Sequence, residues 1–145
     1  MKNSIIIISL VLLAACTNKR SPIPDMPVNL DFNIISTAPQ LTSLGGFCEF
    51  TEPKKAADLL GYGGIVVFHA FDDVYCAFDM SCPVEAEPNI RVYSDNTGTA
   101  RCGKCGAEFF LGDGNAFPIK ENSKFPLRKY RVYFNAAYNN IYVTR

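Results

Sequence analysis

Cys82-Pro83-Val84 and Cys102-Gly103-Lys104-Cys105-Gly106 are the two stretches of this sequence that say most about its fold. Each offers soft sulfur ligands within a short turn, an arrangement by which small β-domains hold a metal ion or an iron–sulfur cluster. In the second stretch, the glycine after Cys105 permits the backbone turn that lets two sulfurs face one ion. The sequence therefore predicts a cysteine site that two loops of a small β-domain build together.

Short strand signals lie on both sides of these loops. Apolar or alternating runs end in turn residues such as Asp72-Asp73, Asp95-Asn96-Thr97-Gly98 and Asn139-Asn140, a pattern typical of antiparallel hairpins. Only residues 53–60 suggest one or two helical turns. We therefore predict an all-β sandwich or barrel of short antiparallel strands, with strands in residues 28–34, 47–51, 65–71, 74–79, 90–94, 99–101, 108–111, 130–134 and 141–144.

The order of these pieces resembles a Rieske [2Fe–2S] domain. Val74–Asp79, which leads into Cys82-Pro83, is similar to the strand that delivers the first ligand loop of that family. The stretch from Cys102 to Phe109, followed by Gly112-Asp113-Gly114, is similar to the second ligand loop and its turn. Pro126–Tyr130 resembles the segment that opens the closing strands. The resemblance covers residues 64–145 and implies a Rieske-like β-fold with two cysteine-bearing loops.

This chain departs from the family at the residues that matter for redox chemistry. A Rieske cluster uses two cysteines on one iron and two histidines on the other. Cys82 and Cys102 match the two cysteines, but Val84 stands at the first histidine position and Cys105 at the second. Ala107 and Glu121-Asn122 replace the usual serine and the usual covering Gly-Pro loop. The resemblance therefore implies a degenerate Rieske-like domain, not a normal Rieske centre.

Three cysteines, Cys82, Cys102 and Cys105, remain as candidate metal ligands. With a fourth ligand they would make a tetrahedral zinc or iron site, or an all-cysteine iron–sulfur cluster. Cys76 is the first candidate for that ligand, and the oxygen alternatives are Asp79, Glu85 and Glu87. A disulfide among the three cysteines, with no cofactor, is the alternative expected in an exported protein.

Cys48 and Cys76 both fall in predicted strands. They could form a disulfide with each other, or remain buried thiols that pack as small apolar side chains. His69, the only histidine, also lies in a predicted strand. We interpret it as a strand residue that partly faces solvent, with metal binding as the alternative. No nucleophile–histidine pairing, matched acid and base, or phosphate-binding loop is present, so we predict that the protein is not an enzyme.

The first residues predict the cellular location of the protein. Lys2 precedes an apolar run from Ser4 to Leu12, which is short for a membrane span and typical of a secretory signal. Leu13-Ala14-Ala15-Cys16 resembles a bacterial lipobox, which implies cleavage before Cys16 and lipidation of that cysteine. We predict a signal peptide in residues 1–15, a lipidated tether in residues 16–27 and a β-domain in residues 28–145. Thr17 after the cysteine favours the outer membrane of a Gram-negative bacterium.

Charge and composition narrow the function further. The chain has 14 basic and 14 acidic residues and no basic stripe, so nucleic-acid binding has no electrostatic support. The membrane, reached through the lipid, is the one partner that the sequence indicates. We therefore expect a membrane-anchored lipoprotein whose cysteine loops form a structural metal or disulfide site in a binding or structural module. An electron-transfer module with iron or an all-cysteine cluster is the alternative.

Overall fold

The computed structural model describes residues 21–145, and nearly all of its regular structure is β-strand. The strands are β1 Val28–Asn33, β2 Phe47–Phe50, β3 Leu59–Leu60, β4 Ile65–His69, β5 Tyr75–Asp79, β6 Val92–Ser94, β7 Thr99–Cys102, β8 Glu108–Phe110, β9 Phe117–Pro118, β10 Lys129–Asn135 and β11 Asn140–Thr144. One helical turn, α1 Ile34–Thr37, and one 3₁₀ turn, Pro39–Thr42, follow β1. The predicted all-β class is confirmed.

Two antiparallel sheets make up the fold. The larger has seven strands in the order β2-β4-β5-β10-β11-β1-β3, and the smaller has four in the order β6-β7-β8-β9. The large sheet curls towards a barrel. As a result, Phe50 of β2 packs on Phe32 of β1, with ring centroids 4.8 Å apart. The small sheet carries the second cysteine loop between β7 and β8.

The central hairpin β4–β5 is buried on both of its faces, which is why its sequence is almost continuously apolar. Val66 and Phe68 belong to a core shared with the small sheet. Ile65 and Val67 belong to a second core, inside the curled large sheet. The chain leaves this doubly packed hairpin at Asp79 and enters the first cysteine loop, so a rigid element positions that loop.

The prediction of one or two helical turns in residues 53–60 is wrong. The Asp58 carboxylate accepts hydrogen bonds from the backbone N–H groups of Lys54 and Lys55 at 2.9 and 2.8 Å, which makes a turn. Leu59 and Leu60 then pair with β1 as strand β3. A short polar side chain that bonds the backbone locally competes with helix formation, and here it prevails.

The first strand also ends earlier than its alternating pattern indicates. Asn33 is the last residue of β1, and its side-chain oxygen accepts a hydrogen bond from the N–H of Ser36 at 3.1 Å, which caps α1. Ile34 is therefore helical, although it stays buried. Strand β9, two residues long, also forms without having been expected from the sequence.

The segment before β1 packs against the domain from Ile23 onward. Ile23 is buried, and its carbonyl accepts a hydrogen bond from the Arg128 guanidinium at 2.6 Å. Asp25 adds ion pairs to Arg128 and Arg145. The predicted signal peptide and residues 16–20 of the predicted tether, including Cys16, lie outside the described residues. Within residues 21–145, no helix has the length and apolar character needed to cross a membrane.

Candidate functional site

The first cysteine loop follows β5 and closes on itself through its backbone. The N–H of Cys82 donates to the Ile90 carbonyl at 2.9 Å, and the N–H of Ala86 donates to the Cys82 carbonyl at 2.8 Å. Ala86 adopts a φ of 54°, a left-handed conformation uncommon for a residue with a side chain. The loop is therefore a tight turn that ends in a left-handed residue.

The second loop follows β7 and repeats the same pattern. The N–H of Cys102 donates to the Ala107 carbonyl at 2.9 Å, and the N–H of Gly106 donates to the Cys102 carbonyl at 3.0 Å. Gly106 has a φ of 70°, which glycine adopts without strain. In both loops a cysteine is followed, four residues later, by the left-handed residue that bonds back to the carbonyl of that cysteine.

These two turns bring three sulfurs together. The Sγ atoms of Cys82 and Cys105 lie 3.6 Å apart, and those of Cys82, Cys102 and Cys105 all lie within 4.8 Å of one another. Cys82 and Cys102 are buried, whereas Cys105 is partly exposed. The structure thus assembles three of the candidate ligands that the sequence predicts, and it leaves one side of the cluster near the surface.

Backbone N–H groups point at two of these sulfurs. Burial raises the pKa of the Cys82 thiol to about 12, although hydrogen bonds from the backbone N–H groups of Glu85 and Val84 oppose the rise. At Cys102 burial again disfavours the thiolate most. Hydrogen bonds from the backbone of Cys105 and Lys104, aided by the neighbouring thiols, outweigh it and lower the pKa. Of these two thiols, Cys102 is therefore the one whose ionised form its surroundings stabilise.

Cys76, the first candidate for a fourth ligand, lies outside this group of sulfurs. Its Sγ atom donates to the carbonyl of Phe68 at 3.4 Å within the core, and burial raises its pKa to about 12. Asp79, one of the oxygen alternatives, is also committed elsewhere. Its carboxylate accepts hydrogen bonds from the backbone of Tyr62, Gly63 and Ser81 and from the hydroxyl of Tyr130.

Of the two alternatives that the sequence leaves open for Cys48 and Cys76, a disulfide or free thiols, the structure has the free thiols. Cys48 lies opposite Val67, and Cys76 lies opposite Phe68, which is the next residue of β4. Because side chains alternate along a strand, the two cysteines face opposite sides of the sheet. They pack accordingly in different cores, so a disulfide between them would break the sheet register.

The rim of the site joins the two loops electrostatically. Glu85 of the first loop and Lys104 of the second form an ion pair, with Oε2 and Nζ 2.7 Å apart. Asn122, from the segment between β9 and β10, donates to the carbonyl of Cys105 at 3.1 Å. Val84, which offers no ligand atom, is 41% exposed.

His69 is buried, so the prediction that it partly faces solvent is wrong, and its contacts are structural. Its Nε2 atom lies 2.8 Å from an Asp73 oxygen, and its ring stacks on Tyr75 with centroids 4.3 Å apart. Asp72 and Asp73 occupy the turn between β4 and β5, as their sequence pattern indicates. These contacts leave the three-cysteine cluster as the candidate site of the described domain.

Fold and site together define an all-β domain. Two tight loops of this domain bring three cysteine sulfurs together near the surface. Comparison with solved structures finds a chain of the complex of reduced oxygenase and oxidized ferredoxin in carbazole 1,9a-dioxygenase. The two chains are 14% identical with a TM-score of 0.49, and the match covers 79% of this chain and 99% of that chain. No family model matches the sequence, and no curated protein matches it either.

Proposed function

We propose that this protein is a lipid-anchored protein of the bacterial cell envelope, whose Rieske-like β-domain holds one metal ion in a structural site. The observation that carries the metal site is the convergence of the Cys82, Cys102 and Cys105 sulfurs within 4.8 Å. Three sulfurs around one tetrahedral ion, each about 2.3 Å from it, would be spaced by about 3.8 Å. The 3.6 Å between Cys82 and Cys105 is close to that value.

The same spacing argues against a two-iron cluster in the family's arrangement. There, Cys82 and Cys102 would bind one iron and Cys105 the other. Cys105 would then stand at the far end of the cluster, yet its Sγ atom is only 3.6 Å from that of Cys82. Val84 offers no ligand atom. One ion shared by all three sulfurs fits the geometry better.

A disulfide accounts for fewer of the contacts. It would join two sulfurs at about 2.05 Å and leave the third cysteine without a role. The backbone N–H groups directed at Cys82 and Cys102 stabilise negative charge on sulfur, which a metal thiolate carries and a disulfide lacks. These contacts favour metal binding, and the ion would tie the loop after β5 to the loop between β7 and β8.

Electron transfer is the second candidate function, and one observation favours it. Cys105 is partly exposed and Gly103 is exposed, so a redox partner could approach an iron ion here closely. An all-cysteine iron–sulfur cluster would work at a lower potential than a Rieske centre. The nature of the bound metal separates this function from a structural one.

The test is the metal content of the full chain, purified in detergent without oxygen. We expect one zinc ion per chain, no visible colour, and alkylation of Cys82, Cys102 and Cys105 only after a chelator is added. If the protein instead contains iron and absorbs in the visible range, its function is electron transfer and the structural role is overturned. Absence of metal together with a disulfide among these three cysteines would overturn both metal-based functions.

A further inference from the structure

The two cysteine loops match each other over five residues, 82–86 in the first loop and 102–106 in the second. Cys82 corresponds to Cys102, since each carbonyl accepts a hydrogen bond from the residue four positions on. Ala86 corresponds to Gly106, since both are left-handed, with φ of 54° and 70°. The residue just before each left-handed position must then correspond as well. That residue is Cys105 in the second loop and Glu85 in the first.

The position of Cys105 is the one from which the second loop directs its second sulfur into the cluster. Matched backbones direct their Cα–Cβ bonds alike, so Glu85 starts from an equivalent place on the opposite side of the site. Its side chain is only 18% exposed, and the Lys104 side chain that pairs with it is 61% exposed. Glu85 is thus the less exposed partner of an ion pair with the second loop. Its carboxylate is not among the ligand atoms that lie within 4.8 Å of one another, so it must turn from Lys104 to reach the ion.

We propose that Glu85 is the fourth ligand of the metal site, which makes it a three-cysteine, one-carboxylate centre for a divalent ion of zinc type. The inference rests on the proposed metal-binding function and deepens it. Thiolate and carboxylate oxygen are both ligands that zinc accepts in tetrahedral geometry. On metal binding, the carboxylate of Glu85 exchanges its contact with Lys104 Nζ for the ion.

Lys104 would offset part of the negative charge of this metal centre. Three thiolates and one carboxylate around a divalent ion leave a net charge of about −2, by simple addition of formal charges. The ammonium of Lys104, which already contacts Glu85 at 2.7 Å, stays at the rim to offset that charge. The same lysine therefore holds Glu85 in place without metal and neutralises the centre with metal.

Other candidates for the fourth position are less well placed. Cys76 bonds the Phe68 carbonyl in the core, and the Asp79 carboxylate is saturated by its own hydrogen bonds. Glu87 is exposed and lies beyond the left-handed Ala86, where the loop has turned away. Glu85 alone combines the matched backbone position with contact to the second loop.

The test uses Co²⁺ as a spectroscopic probe on the full chain, purified in detergent without oxygen. Bound Co²⁺ gives thiolate charge-transfer bands in the near ultraviolet and d–d bands that report its coordination. For Glu85→Gln we expect the dissociation constant for Co²⁺ to rise about tenfold or more, with altered d–d bands and retained thiolate bands. For Glu85→Cys we expect tighter binding and stronger charge-transfer absorption, because a fourth thiolate joins the ion.

Two control variants separate loss of a ligand from other effects. Glu87→Gln removes a carboxylate from the same loop and should leave affinity and bands unchanged. Lys104→Gln breaks the same ion pair but keeps the Glu85 carboxylate, so its d–d bands should match those of the unmodified protein. If Glu85→Gln behaves like Glu87→Gln in both affinity and bands, Glu85 is not a ligand and this inference is overturned. If the unmodified protein binds no Co²⁺, the proposed metal site itself fails.

Discussion

The hydroxyl of Tyr130 donates a hydrogen bond of 2.6 Å to the carboxylate of Asp79, and this contact supports the base of the first cysteine loop. Asp79 is the last residue of β5, and Tyr130 lies in β10, the neighbouring strand of the large sheet. The same carboxylate accepts the N–H of Ser81, the residue before Cys82, at 2.8 Å. One buried carboxylate thus ties the large sheet to the start of the first cysteine loop.

Removing the Tyr130 hydroxyl should destabilise the domain. In Tyr130→Phe, buried Asp79 loses a hydrogen bond, and the free energy of unfolding should fall by about 1–3 kcal/mol. Tyr133→Phe is the matched control, because Tyr133 is exposed and its change should be within about 0.5 kcal/mol. Urea denaturation in the presence of a chelator measures both. Equal stability of the two variants would contradict a supporting role for this hydrogen bond.

Loss of one metal ligand should open the site. Cys105→Ser removes a sulfur from the cluster, so we expect zinc to be lost and the melting temperature to drop by several degrees or more. Cys48→Ser is the control: it also removes a partly buried cysteine, but from the opposite core. Calorimetry with and without zinc should show a zinc-dependent difference only for Cys105→Ser. A melting temperature that stays the same in Cys105→Ser would contradict the structural site.

Cys76 should contribute to a loss of stability of the metal-free protein in alkali. Burial raises the pKa of its thiol from 9.0 to about 12, so the folded state holds the proton more tightly than the unfolded state. This contribution is complete below pH 9 and is lost as the pH rises towards 12, when the unfolded thiol ionises first. The slope from one such group is at most about 1.4 kcal/mol per pH unit.

Cys76→Ser tests that slope, because a serine hydroxyl does not ionise in this range and can still donate to the Phe68 carbonyl. Urea denaturation between pH 8.5 and 11, values chosen to bracket the lower part of the window, should show a flatter decline in the variant. Parallel curves for the two proteins would show that Cys76 does not cause the alkaline loss.

Replacement of Cys16 should release the protein from the membrane. Cys16→Ala removes the residue that the lipobox resemblance identifies as the site of lipidation, and multiple acyl chains provide the firm attachment that a short apolar segment does not. Fractionation of the producing cells should move the protein from the membrane pellet to a soluble or secreted fraction. Cys48→Ala serves as the control and should remain in the pellet. Retention of Cys16→Ala in the membrane would contradict the lipid anchor.

Local patterns predicted most strands correctly, and the errors occur where side chains bond their own backbone. The β4–β5 hairpin and the turn at Asp72-Asp73 follow directly from apolar runs and turn residues. Residues 53–60 were mistaken for a helix because the turn made by Asp58 has no distinct periodicity. The alternating pattern extends the first strand to Ile34, but the chain becomes helical after Asn33. That change depends on a single capping hydrogen bond, which leaves no periodic pattern in the sequence.

The sequence by itself determined which residues could bind a metal and which could not. The thiols of Cys82, Cys102 and Cys105 are able to bind a metal, whereas the side chain of Val84 is not. The sequence therefore argues against a normal Rieske centre. Only the tertiary structure decided which of these groups meet. It brought three sulfurs together, sent Cys76 and Cys48 to opposite faces of a sheet, and set Glu85 against Lys104. The physical reason is that ligand chemistry belongs to each side chain, whereas the distance between loops depends on how the two sheets pack.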